Sequence, residues 1–166
     1  MHDTATNEMR RLVNDYCPHP TTVLDVGSYD VNGNYRGFFG DETTYVGCDL
    51  REGPNVDIVV DDHGPLPKTK GGWDLVISGS TLEHCLNPFR LVQRIADAMD
   101  PGGYFIVAAP FMWHYHEHPI DCFRFAPEGL RSVCEEAGLE VLYAAMSEYR
   151  QDHWDTFAVA RKGGGE

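Results

Sequence analysis

Short apolar runs alternate with polar turns through most of the chain, and runs of this length between turn residues predict buried strands. Five of them occupy the first two thirds of the chain: TTVLDVG (21–27), TYVGCD (44–49), VDIVVD (56–61), WDLVISG (73–79) and GYFIVAAPF (103–111). Two more runs, EVLYAAMSEY (140–149) and WDTFAVARK (154–162), are separated by only a few residues. That separation predicts an antiparallel pair at the end of the chain.

Three other segments repeat their apolar residues at the spacing of a helix. The first covers residues 5–17. The second begins at Asn87 and Pro88, where proline suits the first helical turn, and it ends before the sequence DPGG. The third begins at Pro127 and ends at Gly138, a residue type that favours a C-terminal cap. These segments predict three amphipathic helices.

Strands that alternate with helices and finish in a hairpin predict an α/β fold. We expect a mostly parallel sheet of seven strands, with an antiparallel last strand and helices on both faces. No linker or repeat divides the chain, so residues 1–166 are predicted to form one domain, with a helix in residues 1–20 and a frayed tail at residues 163–166. Ligands of such sheets bind beyond the carboxyl ends of the strands.

The charge balance argues against several kinds of partner. Lys and Arg number 13 against 26 Asp and Glu, a formal net charge of -13. Such a surface repels phosphate backbones and anionic lipids, so we expect neither nucleic acid nor membrane as a partner. The N-terminal residues lack the apolar core of a signal peptide. The five cysteines include no CxxC pair, which argues against a disulfide framework or a zinc ribbon. A cytoplasmic protein is the expectation.

Acidic residues at the strand ends predict a nucleoside site without phosphates. The first loop reads GSYDVNG, with Tyr29 where a dinucleotide-binding loop needs glycine, and no GK[ST] phosphate loop occurs. Asp25 lies in the first strand, and Asp49 and Asp61 end the second and third. A carboxylate at Asp49 can accept both ribose hydroxyls, and one at Asp61, or Asp62 in its place, can accept an adenine amine. No positive charge clusters beside these positions in the sequence.

Over residues 21–162 the chain resembles the class I S-adenosylmethionine-dependent methyltransferases. The motifs that carry the resemblance are VLDVGSYDVNG, YVGCDL, VDIVVDD, WDLVISGSTLEHCLNPFRLVQRIADAMDPGGYFIVAAP and HPIDCFRFAPEGLRSVCEEAGL. The resemblance implies a Rossmann-like sheet, S-adenosyl-L-methionine as cofactor and S-adenosyl-L-homocysteine as product. It also implies cofactor contacts from the loops after the first four strands, at Asp25, Gly27, Ser28, Asp49, Leu50, Asp61, Asp62, Ser78, Gly79 and Ser80. The G-x-G that is usual in the first loop is replaced here by G-S-Y.

The stretch HYHEHPIDC (114–122) follows the fifth strand and has the composition of a metal site. In an extended chain His114, His116 and His118 lie on one side, about 6.6 Å apart from one to the next. Two of them could share a zinc ion with Asp121 or Cys122, but all three could not, since zinc–nitrogen bonds are about 2.0 Å long. We interpret the stretch as a substrate rim without a metal; a metal site and loop structure alone remain the alternatives.

Histidine has a pKa near neutral and suits the removal of a proton from an acceptor. His116 is our candidate base, with His84 as the second. The resemblance, through HPxDxxRF, implies that Asp121 and Arg124 form a fixed pair that shapes the acceptor pocket. The sequence LEH also allows a purely structural interpretation, in which Glu83 and His84 brace the turn before the second helix.

These observations predict a methyltransferase that acts on a small-molecule or glycan-type acceptor, at oxygen or nitrogen. One alternative is a non-catalytic domain that binds S-adenosylmethionine or S-adenosylhomocysteine. Another is a metal-dependent enzyme centred on the histidine-rich stretch. Because few residues join the last two strands, the site must be covered by the N-terminal helix, by residues 111–126, or by a second subunit of a homo-oligomer.

Overall fold

A computed structural model describes residues 3–148 and 153–164, which contain one seven-stranded sheet. The strands are β1 (Thr22–Val26), β2 (Thr44–Asp49), β3 (Ile58–Val59), β4 (Trp73–Gly79), β5 (Met99–Met112), β6 (Leu139–Met146) and β7 (Trp154–Lys162). Their order across the sheet is β3-β2-β1-β4-β5-β7-β6. The first five strands are parallel, and β7 runs antiparallel to both β5 and β6. The predicted mixed sheet is confirmed.

Three α-helices cover the two faces of the sheet: α1 (Asp3–Tyr16), α2 (Pro88–Ala98) and α3 (Pro127–Glu136). Met9 and Leu12 of α1 pack in an apolar cluster with strand residues such as Ile106. Val92 of α2 and Leu130 of α3 belong to a second apolar cluster of strand and helix residues. Helices on both faces are therefore confirmed. Within the described part of the chain, no helix has the length and apolarity that a membrane span needs.

The N-terminal half departs from regular alternation of strand and helix. Between β1 and β4 the described residues form no α-helix, only a 3-10 turn at Arg36–Phe38. Aromatic rings take the place of a helix there: Tyr35, Phe38, Phe39 and Tyr45 contact one another in sequence at centroid distances of 5.4, 6.2 and 5.7 Å. Packing of large rings thus covers this part of the sheet with few residues.

Two predicted strands are shorter than expected. The run at 56–61 forms only the two-residue β3, which lies at the sheet edge and pairs with β2 alone. After it, the Asp61 carboxylate accepts hydrogen bonds from the amides of His63 and Gly64 and so turns the chain away from the sheet. The run at 140–149 ends as a strand at Met146, and its last residue lies outside the described residues.

The local helix signals are confirmed. The Asn87 side chain accepts a hydrogen bond from the Arg90 amide at 3.0 Å and caps α2, with Pro88 as the first helical residue. Ala126 makes no side-chain cap for α3, as its apolar side chain predicts. Gly138 has a positive φ of 77° just beyond α3, the conformation expected of a C-terminal glycine.

Candidate active site

A cavity of about 440 Å³ is lined by the chain segments that follow β1, β2 and β4 and by the end of β5. This is where a mostly parallel sheet binds its ligands. Eight of the ten residues expected to contact a cofactor line it: Asp25, Gly27, Ser28, Asp49, Leu50, Asp62, Gly79 and Ser80. The other two, Asp61 and Ser78, do not belong to the lining.

On one side of the cavity, which we call the cofactor side, lie the loops after β1 and β2. Asp49 at the end of β2 accepts hydrogen bonds from the amides of Tyr29 (3.2 Å) and Leu50 (2.7 Å). These bonds join the two loops and fix the carboxylate at the cavity wall. A carboxylate can accept about four hydrogen bonds, so Asp49 retains acceptor capacity for two hydroxyl groups.

Asp25 lies deeper on the cofactor side and is bound to the protein itself. Its side chain is buried, and its carboxyl group accepts hydrogen bonds from the Tyr45 hydroxyl and from the Asn55 amide (3.4 Å). Burial raises the pKa of Asp25 to about 7, an effect that these hydrogen bonds only partly oppose. The structural interpretation of Asp25, as a partner for groups of the neighbouring strand and loop, therefore accounts for much of its environment.

Two glycines of the predicted site are required by close packing. Gly27 has a φ of +79°, and a Cβ atom at that position would collide with the Thr81 side chain. A Cβ atom on Gly79 would collide with the Tyr35 hydroxyl. At both positions the backbone packs directly against a neighbouring side chain, so glycine is required there whether or not a ligand is bound.

The two acids after β3 are both exposed, but only one of them lines the cavity. Asp61 is exposed, and the amide of His63 followed by that of Gly64 holds its pKa below the usual range. Asp62 lines the cavity and forms an ion pair with Arg90 at 3.3 Å. Of the two, Asp62 therefore has the position to contact a ligand. Ser78 is fully buried and donates to the Val26 carbonyl at 2.8 Å, a bond that ties β4 to β1.

The expectation of a cavity without nearby positive charge is wrong. Arg51 and Arg94 both contribute to the lining. The Arg94 guanidinium donates to the carbonyls of Asp62 and Asp61 at 2.8 and 2.7 Å. Arg51 lies over the Tyr29 ring, 4.3 Å from its centroid. Arg51 follows Asp49 by two residues in the sequence, whereas Arg94 comes from α2, remote from the acidic motifs.

The opposite side of the cavity is formed by what we call the histidine wall: Glu83, His84, His116 and His118. The His84 ring lies 4.9 Å from the His116 ring and 5.6 Å from the His118 ring, between centroids. The amides of Cys122 and Phe123 donate to the Glu83 carbonyl at 2.7 and 3.2 Å and join the histidine-rich stretch to the turn after β4. The structure thus brings the two candidate bases, His84 and His116, into contact.

Asp121 and Arg124 form the pair that the resemblance implied, but they lie behind the wall. Two guanidinium nitrogens of Arg124 bind the two Asp121 oxygens at 2.5 and 2.8 Å, and the Asp121 side chain is only 1% exposed. Asp121 also accepts from the His116 amide at 2.8 Å. The Arg124 bond, ahead of other effects, holds the pKa of Asp121 far below its usual range. Neither side chain lines the cavity, so the pair braces the segment that carries His116.

Glu83 is the functional candidate that sequence reasoning missed. Its side chain is fully buried and lines the cavity, yet neither carboxylate oxygen has a hydrogen-bond partner among the described residues. Burial raises its pKa to about 8. Its Oε1 atom lies 3.7 Å from His84 Nε2, and donor atoms of Glu83, His84 and His116 all lie within 4.8 Å of one another. The only signal in the sequence was an acid directly before His84.

Comparison with known proteins places the chain in a family. A family model described as "Methyltransferase domain" matches residues 1–144. No curated protein matches the sequence. The [4+2]-cyclase SpnF superposes with a TM-score of 0.69 at 16% identity, over 96% of this chain and 82% of that chain.

Two further solved structures were crystallised with S-adenosylhomocysteine. The 1,6-didemethyltoxoflavin-N1-methyltransferase of Burkholderia thailandensis, which also holds 1,6-didemethyltoxoflavin, has a TM-score of 0.72 at 16% identity, covering 96% of this chain and 78% of its own. The N-terminal domain of EvdMO1, crystallised in the presence of S-adenosylhomocysteine and D-fucose, has a TM-score of 0.63 at 19% identity, covering 97% of this chain and 84% of its own.

At these identities the structural matches support the fold alone. The family model, in contrast, spans most of the chain and includes the loops after β1 to β4 that line the cavity. The chain therefore belongs to the methyltransferase domain family, as a member of the class I methyltransferases.

Proposed function

We propose that this protein transfers the methyl group of S-adenosylmethionine to an oxygen or nitrogen atom of a small-molecule or glycan-type acceptor. The observation that carries the proposal is that one cavity is lined by both the cofactor side and the histidine wall. Methyl transfer is an in-line displacement that needs the sulfonium and the acceptor held together in one enclosed space. A shared cavity meets that requirement.

The cofactor side takes the adenosyl and methionine groups. Asp49 accepts the two ribose hydroxyls, while Gly27 and Ser28 face the methionine part. Asp62 is the acid for the adenine amine, in preference to the exposed Asp61. Because Arg94 is already bound to backbone carbonyls and Arg51 lies over an aromatic ring, neither calls for a phosphate on the ligand.

The histidine wall faces the acceptor. His116 Nδ1 lies 3.1 Å from the His114 carbonyl, and because a carbonyl can only accept, Nδ1 carries the proton and Nε2 is a base. In the metal-free protein His116, supported by His84, takes the proton that an acceptor hydroxyl or amine loses as the new bond forms. One of the two structures above was determined with bound 1,6-didemethyltoxoflavin and the other in the presence of D-fucose. We extend that class of small polar acceptor to this chain as part of the proposal.

Calorimetry with S-adenosylmethionine, S-adenosylhomocysteine and NAD tests the cofactor first. We expect both adenosyl compounds to bind and NAD not to bind; the reverse would contradict the proposal. A screen of sugars and small heterocycles with methyl-labelled cofactor then tests transfer. Tight cofactor binding with no transfer to any acceptor would favour the non-catalytic binding domain, since a fold alone does not determine the reaction.

A further inference from the structure

We propose that Glu83, His84 and His116 bind one divalent transition-metal ion at the histidine wall. The donor atoms of these residues lie within 4.8 Å of one another. Two donors on one cation, with bonds of about 2.0–2.2 Å, stand roughly 3.0–4.2 Å apart. Movement of a side chain by less than about 1 Å therefore suffices to complete the site.

The environment of Glu83 is the first independent support. A buried carboxyl group is normally hydrogen-bonded, and one that is not requires an explanation. Glu83 is fully buried, and both of its oxygens lack a hydrogen-bond partner among the described residues. The nearest imidazole nitrogen, His84 Nε2, is 3.7 Å from Oε1. That separation is too long for a hydrogen bond but matches two ligands of one ion.

The orientation of the two imidazoles is the second support. His84 Nδ1 lies 2.6 Å from the Ile120 carbonyl, which can only accept, so the lone pair is on Nε2 and points toward Glu83. His116 Nδ1 contacts the His114 carbonyl at 3.1 Å and Asp121 at 3.4 Å, which leaves its Nε2 lone pair free as well. Histidines that bind metals almost always donate their other N–H to a carbonyl or carboxylate in this way.

This ligand set differs from the one that the histidine-rich sequence suggested. There, neighbouring histidines would share zinc with Asp121 or Cys122. Asp121 instead accepts three hydrogen bonds from Arg124 and the His116 amide and does not line the cavity, so it supports a ligand rather than acting as one. Glu83 and His84, which come from the turn after β4, take its place.

Two imidazoles and one carboxylate favour Zn²⁺, Fe²⁺, Mn²⁺ or Co²⁺ over Mg²⁺ and Ca²⁺, which prefer oxygen ligands. Three protein ligands leave coordination positions open toward the cavity. A cation there would lower the pKa of a bound acceptor hydroxyl, which would then release its proton to solvent water before it attacks the methyl group, so that no histidine base is needed. That role of the cation rests on the proposed function; the binding of the metal does not.

Metal binding is measured directly on protein made without a histidine tag. The protein is stripped with a chelator, dialysed against Zn²⁺, Co²⁺ or Mg²⁺ and analysed by mass spectrometry for metal per chain. We expect stoichiometric Zn²⁺ and Co²⁺ but no Mg²⁺, and visible absorption bands for the Co²⁺ form. Substoichiometric Zn²⁺ and Co²⁺ at saturating concentrations would overturn the proposal.

Variants locate the ion. Glu83→Gln and His116→Ala should each weaken Zn²⁺ binding by more than about 100-fold, because loss of even a second-shell partner costs roughly 10–100-fold. His114→Ala is the matched control: it is an exposed histidine of the same stretch, outside the proposed ligand set. Equal loss in His114→Ala, or none in Glu83→Gln, would mean that surface histidines bind the ion and would overturn the proposal.

S-adenosylhomocysteine affinity, measured on the same metal-free preparations, serves as the folding control for each variant. It also separates the two proposals. Metal without S-adenosylhomocysteine binding would sink the methyltransferase proposal alone, and S-adenosylhomocysteine binding without metal would sink only the metal site.

Discussion

The two sides of the cavity satisfy their buried polar groups in opposite ways. On the cofactor side, Asp25 and Asp49 already accept hydrogen bonds from the Tyr45 hydroxyl and from loop amides. On the histidine wall, Glu83 has no hydrogen-bond partner among the described residues, although it is as buried as Asp25. A side whose groups are paired is preorganised before a ligand arrives, whereas the wall needs a proton, a cation or an acceptor to complete it. The comparison indicates that the cofactor side is ordered without a ligand, whereas the histidine wall has a buried carboxyl group that only a bound proton, cation or acceptor can satisfy.

The largest expected effect concerns the histidine wall. His116→Ala should lower turnover by roughly 10²–10⁴, the usual contribution of a positioned proton acceptor. S-adenosylhomocysteine affinity should stay nearly unchanged, because the proposed function places His116 beside the acceptor rather than the cofactor. Steady-state kinetics and calorimetry check the two halves of the prediction, with His114→Ala as control. Equal turnover in His116→Ala and His114→Ala would contradict the assignment of His116 as the proton acceptor.

The buried Asp25 should make the cofactor side sensitive to pH. Its pKa is about 7 in the folded protein against an ordinary value near 4 in the unfolded chain. Between those values the folded state retains a proton that the unfolded state has lost. The contribution of Asp25 to the free energy of unfolding should therefore be greatest below about pH 4 and be lost as pH rises from 4 through 7, by on the order of 1 kcal/mol per unit.

Denaturant unfolding of cofactor-free protein at several pH values measures this slope. The nearby charges of Arg36 and Asp49 are retained in the variant Asp25→Asn, which lacks only the titrating group. The variant should show a flatter pH dependence. An identical slope would mean that another group, such as Glu83, is responsible.

Asp49→Ala should weaken S-adenosylhomocysteine binding by about 1.5–3 kcal/mol, since it removes a charged acceptor for two ribose hydroxyls. Thermal stability without cofactor should change little, because only two loop amides lose their partner. Calorimetry on Asp49→Ala and on Asp41→Ala, an exposed acid outside the cavity lining, tests this. Unchanged affinity in folded Asp49→Ala would show that the ribose lies elsewhere.

The smallest effect separates the two acids after β3. Asp62→Asn should cost about 1 kcal/mol of cofactor binding, the typical value of one hydrogen bond. Asp61→Asn should cost less, because Asp61 does not line the cavity and is already bound to its own turn. Competition with adenosine analogues that lack the exocyclic amine provides the measurement. A larger loss of affinity in Asp61→Asn would support the sequence-based assignment of Asp61, rather than Asp62, as the acceptor for the adenine amine.

Much of the fold was predictable because its signals are local. The runs at 44–49, 73–79 and 154–162 form strands with those bounds, since each is a continuous apolar segment between turn residues. Asn87 and Pro88 start a helix through their own side-chain and ring chemistry. The run at 56–61 forms only two strand residues, because the Asp61 carboxylate binds the amides that follow it and turns the chain away from the sheet.

Most of the expected cofactor residues also follow from sequence, because the end of a parallel strand fixes which edge of the sheet its next residues occupy. The histidine wall does not follow in that way. Glu83 and His116 come from separate connections, and only the path of the chain after β5 brings them together. Alternation of apolar and polar residues indicates which face of an element is buried. By itself the sequence therefore determined the sheet, its helices and the edge of the sheet at which the site lies. The tertiary structure alone decided that Glu83, an acid in a polar turn, is buried beside two imidazoles without a hydrogen-bond partner among the described residues. Burial and distance there depend on contacts between segments remote in the chain.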